Sequence, residues 1–204
     1  MSMSRIPADR RSAFGCFRML APIGVLVGVM WALELLDSFV GNRLDGFGII
    51  PRTGDGLFGI VAAPFLHLGF GHLLANTGAL LVLGGLILLT TSYFWMVTLA
   101  VALFGGMGVW LTGDPFTVVI GASGLVYGYA AYLVFLGVFH RRLRHVLVAV
   151  FVAVLVVLLY DGLVIGMLPV QPGVSWQAHL FGALAGVAVA RWHANLPGSL
   201  PGRR

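Results

Sequence analysis

Lysine is absent from this chain, and charge of either sign is scarce. Charged residues are 9% of the 204 positions, against about 25% in a soluble domain. That shortage excludes an ordinary water-soluble fold. With 59% hydrophobic residues and a mean hydropathy of +1.00, the chain belongs in lipid. Cysteine occurs once, as Cys16, so no internal disulfide can form. There is no H-E-x-x-H pair and no cysteine cluster, so no metal and no other cofactor is expected. Internal repeats and low-complexity tracts are also lacking, which argues against a transporter built from paired halves.

What is present is apolar sequence in long runs, 29 glycines and twelve arginines. Six hydrophobic segments can be drawn, at about 22–40, 72–91, 93–112, 123–139, 145–165 and 175–192. Each is near the ~20 residues that cross ~30 Å of hydrocarbon. The spacing predicts an all-α, polytopic membrane protein of six transmembrane helices, with a basic N-terminal segment (1–21), a membrane domain (22–194) and a short tail (195–204). The arginines flank the apolar runs, so the pI of 10.1 reflects topology rather than nucleic-acid binding. With the N-terminus inside, only Arg43 and Arg52 lie in an outer loop, and the other ten face the cytoplasm. Both termini are therefore expected in the cytoplasm. The apolar run after the first arginines continues past Trp31 to Glu34 without a cleavage site, so it reads as a retained helix and not a signal peptide. The outer loop, 41–71, contains Leu57, Phe58, Ile60, Val61, Phe65 and Leu66, which suggest short helices in the membrane interface.

Polar residues at membrane depth are costly and point to function. His72 and Asn76 share one face at the start of the second segment, with His67 just before them. Ser123 lies between Gly121 and Gly124, after a loop containing Gly113, Asp114 and Pro115. A serine there suits a helix N-cap. The same geometry leaves backbone N–H groups unpaired beside its hydroxyl, where an oxyanion could form. Tyr127 follows one turn later. His179 heads a run with Gly182 and Gly186, matched in spacing by Gly124 and Gly128. Small residues at that spacing let two helices approach closely. If these two helices pack, His179 can supply the base that a serine nucleophile needs. A histidine bonded to a backbone carbonyl is the structural alternative.

Depth offers a check. Counting from Arg191, His179 lies about 18 Å above the inner boundary, and counting from Arg141, Ser123 lies about 27 Å above it, at 1.5 Å per residue. Both fall in the outer half of the membrane. Asp161, about 25 Å up the fifth segment by the same rise, is the tempting third member of a triad but is not expected to act as one.

This arrangement resembles the rhomboid family of intramembrane serine proteases. The resemblance runs from about Gly54 to Gly186 and is carried by His72 with Asn76, Gly121 to Gly124, Tyr127, and Ala178 to Gly186. It implies Ser123 as nucleophile and His179 as base, stacked on Tyr127. It implies an oxyanion hole from His72, Asn76 and the Ser123 backbone N–H. Transmembrane protein substrates entering from the lipid would be the partners. Many members carry Trp-Arg in the first outer loop, whereas Arg52 here follows Pro51. A non-catalytic relative that only binds transmembrane helices would be expected to lack the serine or the histidine, and both are present.

Overall fold

The computed structural model describes residues 8–140, 142–159 and 163–196, with side-chain detail at 19–140, 142–155 and 165–196. Asp161 and Arg5, Arg141, Arg203 and Arg204 lie outside the described residues. Eight α-helices occur among those described: α1 (Ala8–Val40), α2 (Gly54–Ala62), α3 (Gly69–Thr90), α4 (Phe94–Thr112), α5 (Ser123–His140), α6 (Leu143–Leu159), α7 (Leu163–Gly166) and α8 (Trp176–Ala194). Four helices are long and apolar enough to cross a membrane, at Met19–Val40, Gly69–Thr90, Phe94–Thr112 and Ser123–His140. The protein is an all-helical integral membrane protein. At the fifth and sixth expected segments, α6 spans 17 residues among those described, Leu143–Leu159. α8 is 19 residues long but is diluted by Gln177, His179, Arg191 and His193. The first helix starts upstream of the expected segment, at Ala8, and carries Pro22 inside it.

The core is built on α5. Tyr129, Tyr132, Leu133 and Leu136 of that helix are almost wholly buried. They pack with Leu73, Leu80 and Ile87 of α3, Val97 and Val101 of α4, and Ala185, Val189 and Ala190 of α8 in one cluster. α1 joins at the edge, where Trp31 Nε1 donates to Thr77 Oγ1 at 3.0 Å. The hydrogen bonds that tie α5 to its neighbours include Thr98 to Tyr129 at 2.6 Å and Tyr132 to His193 at 2.7 Å. Interhelical hydrogen bonds in membranes average only about 0.6 kcal/mol. Close backbone contact therefore does more to set the α5–α8 seam. A Cβ on Gly182 would lie 2.2 Å from the Gly124 carbonyl oxygen, and one on Gly186 would lie 2.1 Å from that of Gly128. Leaving out two side chains in register brings the helix axes together.

The loop of residues 41–71 holds short helices. A 3-10 turn (Leu44–Phe47) leads to α2, which Thr53 caps by accepting from Gly56 N at 3.0 Å. A second 3-10 turn, Ala63–Phe65, follows. Leu57, Phe58 and Val61 point outward, while Gly56, Gly59 and Ile60 turn toward the protein. The loop is bonded to the segment that leads into α5. Ile49 and Val119 exchange both backbone hydrogen bonds at 2.9 Å, and Gly121 N donates to Ala63 O at 2.8 Å. Arg52 has a positive φ of 59° and sits at the C-terminal end of α4. Its N–H reaches Trp110 O at 3.0 Å and its guanidinium reaches Leu111 O at 3.2 Å, a favourable place for a cation. Trp110 Nε1 in turn donates to Thr53 O at 2.8 Å. The loop lacks its own tryptophan, and the one that meets Arg52 comes from α4.

Candidate active site

Ser123 is the first residue of α5. Gly121 makes the turn into it with φ at +113°, a conformation that L side chains rarely adopt. The first helical bond runs from Val126 N to Ala122 O at 3.1 Å. The N–H groups of Ser123 and Gly124 precede it, so the helix itself leaves them unused. His179 is in the first turn of α8, whose start is capped by Ser175 accepting from Ala178 N at 3.3 Å.

The seam between α5 and α8 brings these two residues together. Ser123 Oγ and His179 Nε2 are 2.9 Å apart. The ring of Tyr127 lies parallel to that of His179, with centroids 4.0 Å apart and planes 7° apart. On the far side of the imidazole, Nδ1 is 2.8 Å from Gly166 O. A carbonyl can only accept, so Nδ1 carries the proton of the neutral ring. Nε2 then presents its lone pair to the serine hydroxyl. The carbonyl-bound histidine and the serine-facing histidine, which the sequence posed as alternatives, are the same side chain.

Counting from the arginines puts Ser123 about 9 Å above His179 on the 1.5 Å rise, yet their side chains meet at one level. The offset across the seam is 56 residues, which matches Arg191 with position 135 and not with Arg141. Arg191 is thus six residues, or about 9 Å, short of the level assumed for it. Its guanidinium lies 5.4 Å from the centre of the Phe139 ring, which is nearer the end of α5. The arginine reaches along the helix toward the boundary.

His72 and Asn76 face the same space from α3. With Ser123, Tyr127 and His179 they line a cavity of about 240 Å³, completed by Val119 and Ile120 of the incoming loop and by residues 173–175 ahead of α8. Leu68 N–H approaches His72 Nδ1 at 3.4 Å. An accepting Nδ1 bears no proton, which leaves the proton of the neutral ring on Nε2. That nitrogen lies beside Gly121, where a Cβ would be 3.0 Å from it and 2.6 Å from Cε1. Asn76 Nδ2 donates to His72 O at 3.0 Å, so one amide hydrogen is committed and the second remains. His67, ahead of α3, is buried with its ring edge-on to His72 at 5.2 Å. Burial, with the neighbouring His72 adding to it, pushes its pKa down to about 4. It is therefore neutral at physiological pH. Among the described residues, no group of three or more His, Cys, Asp or Glu is arranged to hold a metal ion.

Gly166 escaped the sequence reading. A glycine after "LVI" at the end of an apolar run carries no signal of a carbonyl aimed at a histidine thirteen residues away. Only the hydrogen bond from His179 of α8 reveals it.

The rhomboid domain family model matches residues 55–194. The chain belongs to the rhomboid family, whose members are in general intramembrane serine proteases. It is also similar to an uncharacterised protein of Mycobacterium tuberculosis, 42% identical over 174 residues that make up 80% of this chain and 70% of the relative. An uncharacterised protein of Mycobacterium leprae is 41% identical over 174 residues, covering 80% of this chain and 67% of that one.

Proposed function

We propose that the protein is a serine endopeptidase that hydrolyses peptide bonds in or near transmembrane segments of other membrane proteins, using a Ser123–His179 dyad. The 2.9 Å approach of Ser123 Oγ to the unprotonated Nε2 of His179 carries this reading. His179 takes the serine proton as Oγ attacks the scissile carbonyl. The developing oxyanion meets the Ser123 N–H, the His72 Nε2–H and the free amide hydrogen of Asn76. The intermediate collapses, the C–N bond breaks and the amine leaves with the proton from His179. Water, deprotonated by the same histidine, then attacks the acyl-serine and releases the acid. Tyr127 supports the base by stacking.

The substrate must reach the cavity unwound, because a helix holds its carbonyls in its own hydrogen bonds. The six-helix topology consists of α1, α3, α4, α5, α6 with α7, and α8, in a membrane domain of 22–194 between a basic segment, 1–21, and a tail, 195–204. Both termini face the cytoplasm of a bacterial cell membrane, and the cavity opens to the outer side.

Incubation of the purified protein in detergent with a labelled panel of transmembrane peptides tests the reading. The parent should cleave, and Ser123→Ala and His179→Ala should each abolish cleavage with the fold retained. The double variant should be scarcely worse than either single, because the pair acts as a unit. Parental turnover by Ser123→Ala would sink the assignment.

A further inference from the structure

Stacking on Tyr127 sets the plane of the His179 ring but not its direction. A half-turn about Cβ–Cγ exchanges Nδ1 with Cδ2 and Nε2 with Cε1, and the flipped ring stacks on the tyrosine equally well. It would offer Ser123 a carbon. A directional partner is needed to tell the two orientations apart, and Gly166 O, 2.8 Å from Nδ1, is that partner. Ser–His–carboxylate enzymes use an aspartate to hold the ring and its tautomer. A backbone carbonyl can do both without bringing a charge into a buried site.

The residue carrying this carbonyl is also sterically determined. A Cβ on Gly166 would lie 2.0 Å from the Tyr127 hydroxyl oxygen, 3.1 Å from Tyr127 Cζ and 3.1 Å from His179 Nδ1. The hydroxyl contact is far inside van der Waals distance, and the other two are tight but tolerable. Any side chain at this position therefore pushes on Tyr127, and through it on His179.

We infer that Gly166, at the end of α7, is a positioning residue for the base. Its carbonyl holds His179 in the orientation and tautomer that face Ser123, and its lack of a side chain makes room for the Tyr127 hydroxyl. This rests on the Ser123–His179 reading above. It makes the short α6–α8 connection part of the catalytic apparatus although Gly166 touches no substrate.

Four measurements on the full chain in detergent test it. Gly166→Ala should lower kcat about 10²-fold, the scale of an ångström-sized misplacement, with KM nearly unchanged. Ser123 should react with a fluorophosphonate more slowly to the same extent. Combining Gly166→Ala with Tyr127→Phe removes the colliding oxygen and keeps the stacking ring, so the double variant should recover at least about tenfold over Gly166→Ala. ¹⁵N NMR of histidine-labelled parent, with the His179 signal assigned by its loss in His179→Gln, should show the proton on Nδ1. That last measurement does not depend on any Gly166 variant folding. A proton on Nε2, a Gly166→Ala enzyme within about threefold of the parent, or a double variant no better than Gly166→Ala would each overturn the inference. If the parent cleaves in a Ser123-dependent way, the dyad stands whatever Gly166 does. If the parent neither cleaves nor labels at Ser123, the dyad fails and the inference falls with it.

Discussion

Asn76 gives one amide hydrogen to the His72 carbonyl and keeps one for the cavity. In the proposed mechanism, replacing it with alanine removes a single oxyanion donor, which is worth about 10²–10³ in rate elsewhere. Asn76→Ala should therefore cleave roughly 10²-fold more slowly, while Ser123 still reacts with a small phosphonate. An unchanged rate would remove Asn76 from the oxyanion site. Its neighbour His67 makes a different prediction. An unfolded histidine takes up its proton near 6.5 and the folded His67 only near 4, so between those values the unfolded chain binds more protons. Stability then rises with pH in that window. The contribution of His67 is present above about 6.5 and is lost as pH falls through about 4. Melting temperatures in detergent should drop across this range, and His67→Phe should flatten the slope. An equal slope in the variant would show that other groups dominate.

At the scale of helices, the α5–α8 seam decides whether Ser123 and His179 meet. Gly182→Val forces a side chain into the Gly124 carbonyl, already 2.2 Å from where a Cβ would sit. Overpacking typically costs about 1–3 kcal/mol, and here the strain is relieved by parting the two helices that carry Ser123 and His179. The variant should melt lower and lose phosphonate labelling together. Gly28→Ala is the control, since nothing lies within 4 Å of its Cβ position. It should label normally and, as an alanine in a helix interior, be neutral or slightly stabilised. Retained labelling in a folded Gly182→Val protein would mean that the seam tolerates separation.

For the whole molecule, the proposed orientation rests on the arginine distribution. Phe116, in the α4–α5 connection, and Leu143, at the start of α6, are 94% and 73% exposed and fall on opposite sides in the proposed topology. With Cys16 replaced by serine, Phe116→Cys should react with an impermeant maleimide added to intact cells, and Leu143→Cys should react only after lysis. The reverse pattern would place the cavity on the cytoplasmic side and overturn the topology.

The sequence by itself determined the solvent and the class, and it singled out the residues on which the proposed chemistry rests. Long apolar runs leave a chain no alternative to helices in lipid, because every backbone group must be satisfied within the segment. Ser123, Tyr127, His179, His72 and Asn76 stood out because polar groups are rare at that depth, and the matched glycine spacings paired the helices of Ser123 and His179. The apolar residues of 57–66 pointed to short helices, and α2 and the turn after it are there. What the tertiary structure decided is everything that depends on register and on backbone atoms. The 56-residue offset across the seam follows from which glycine meets which carbonyl, and arginine positions misjudged it by about two turns because a long side chain reaches away from its own Cα. The cavity roof needs residues 173–175, and the loop before Ser123 is held by backbone bonds to Ile49 and Ala63. The Gly166 carbonyl is common to every residue type, so no pattern of side chains could announce it. A backbone oxygen acquires a role only when the fold points it at something.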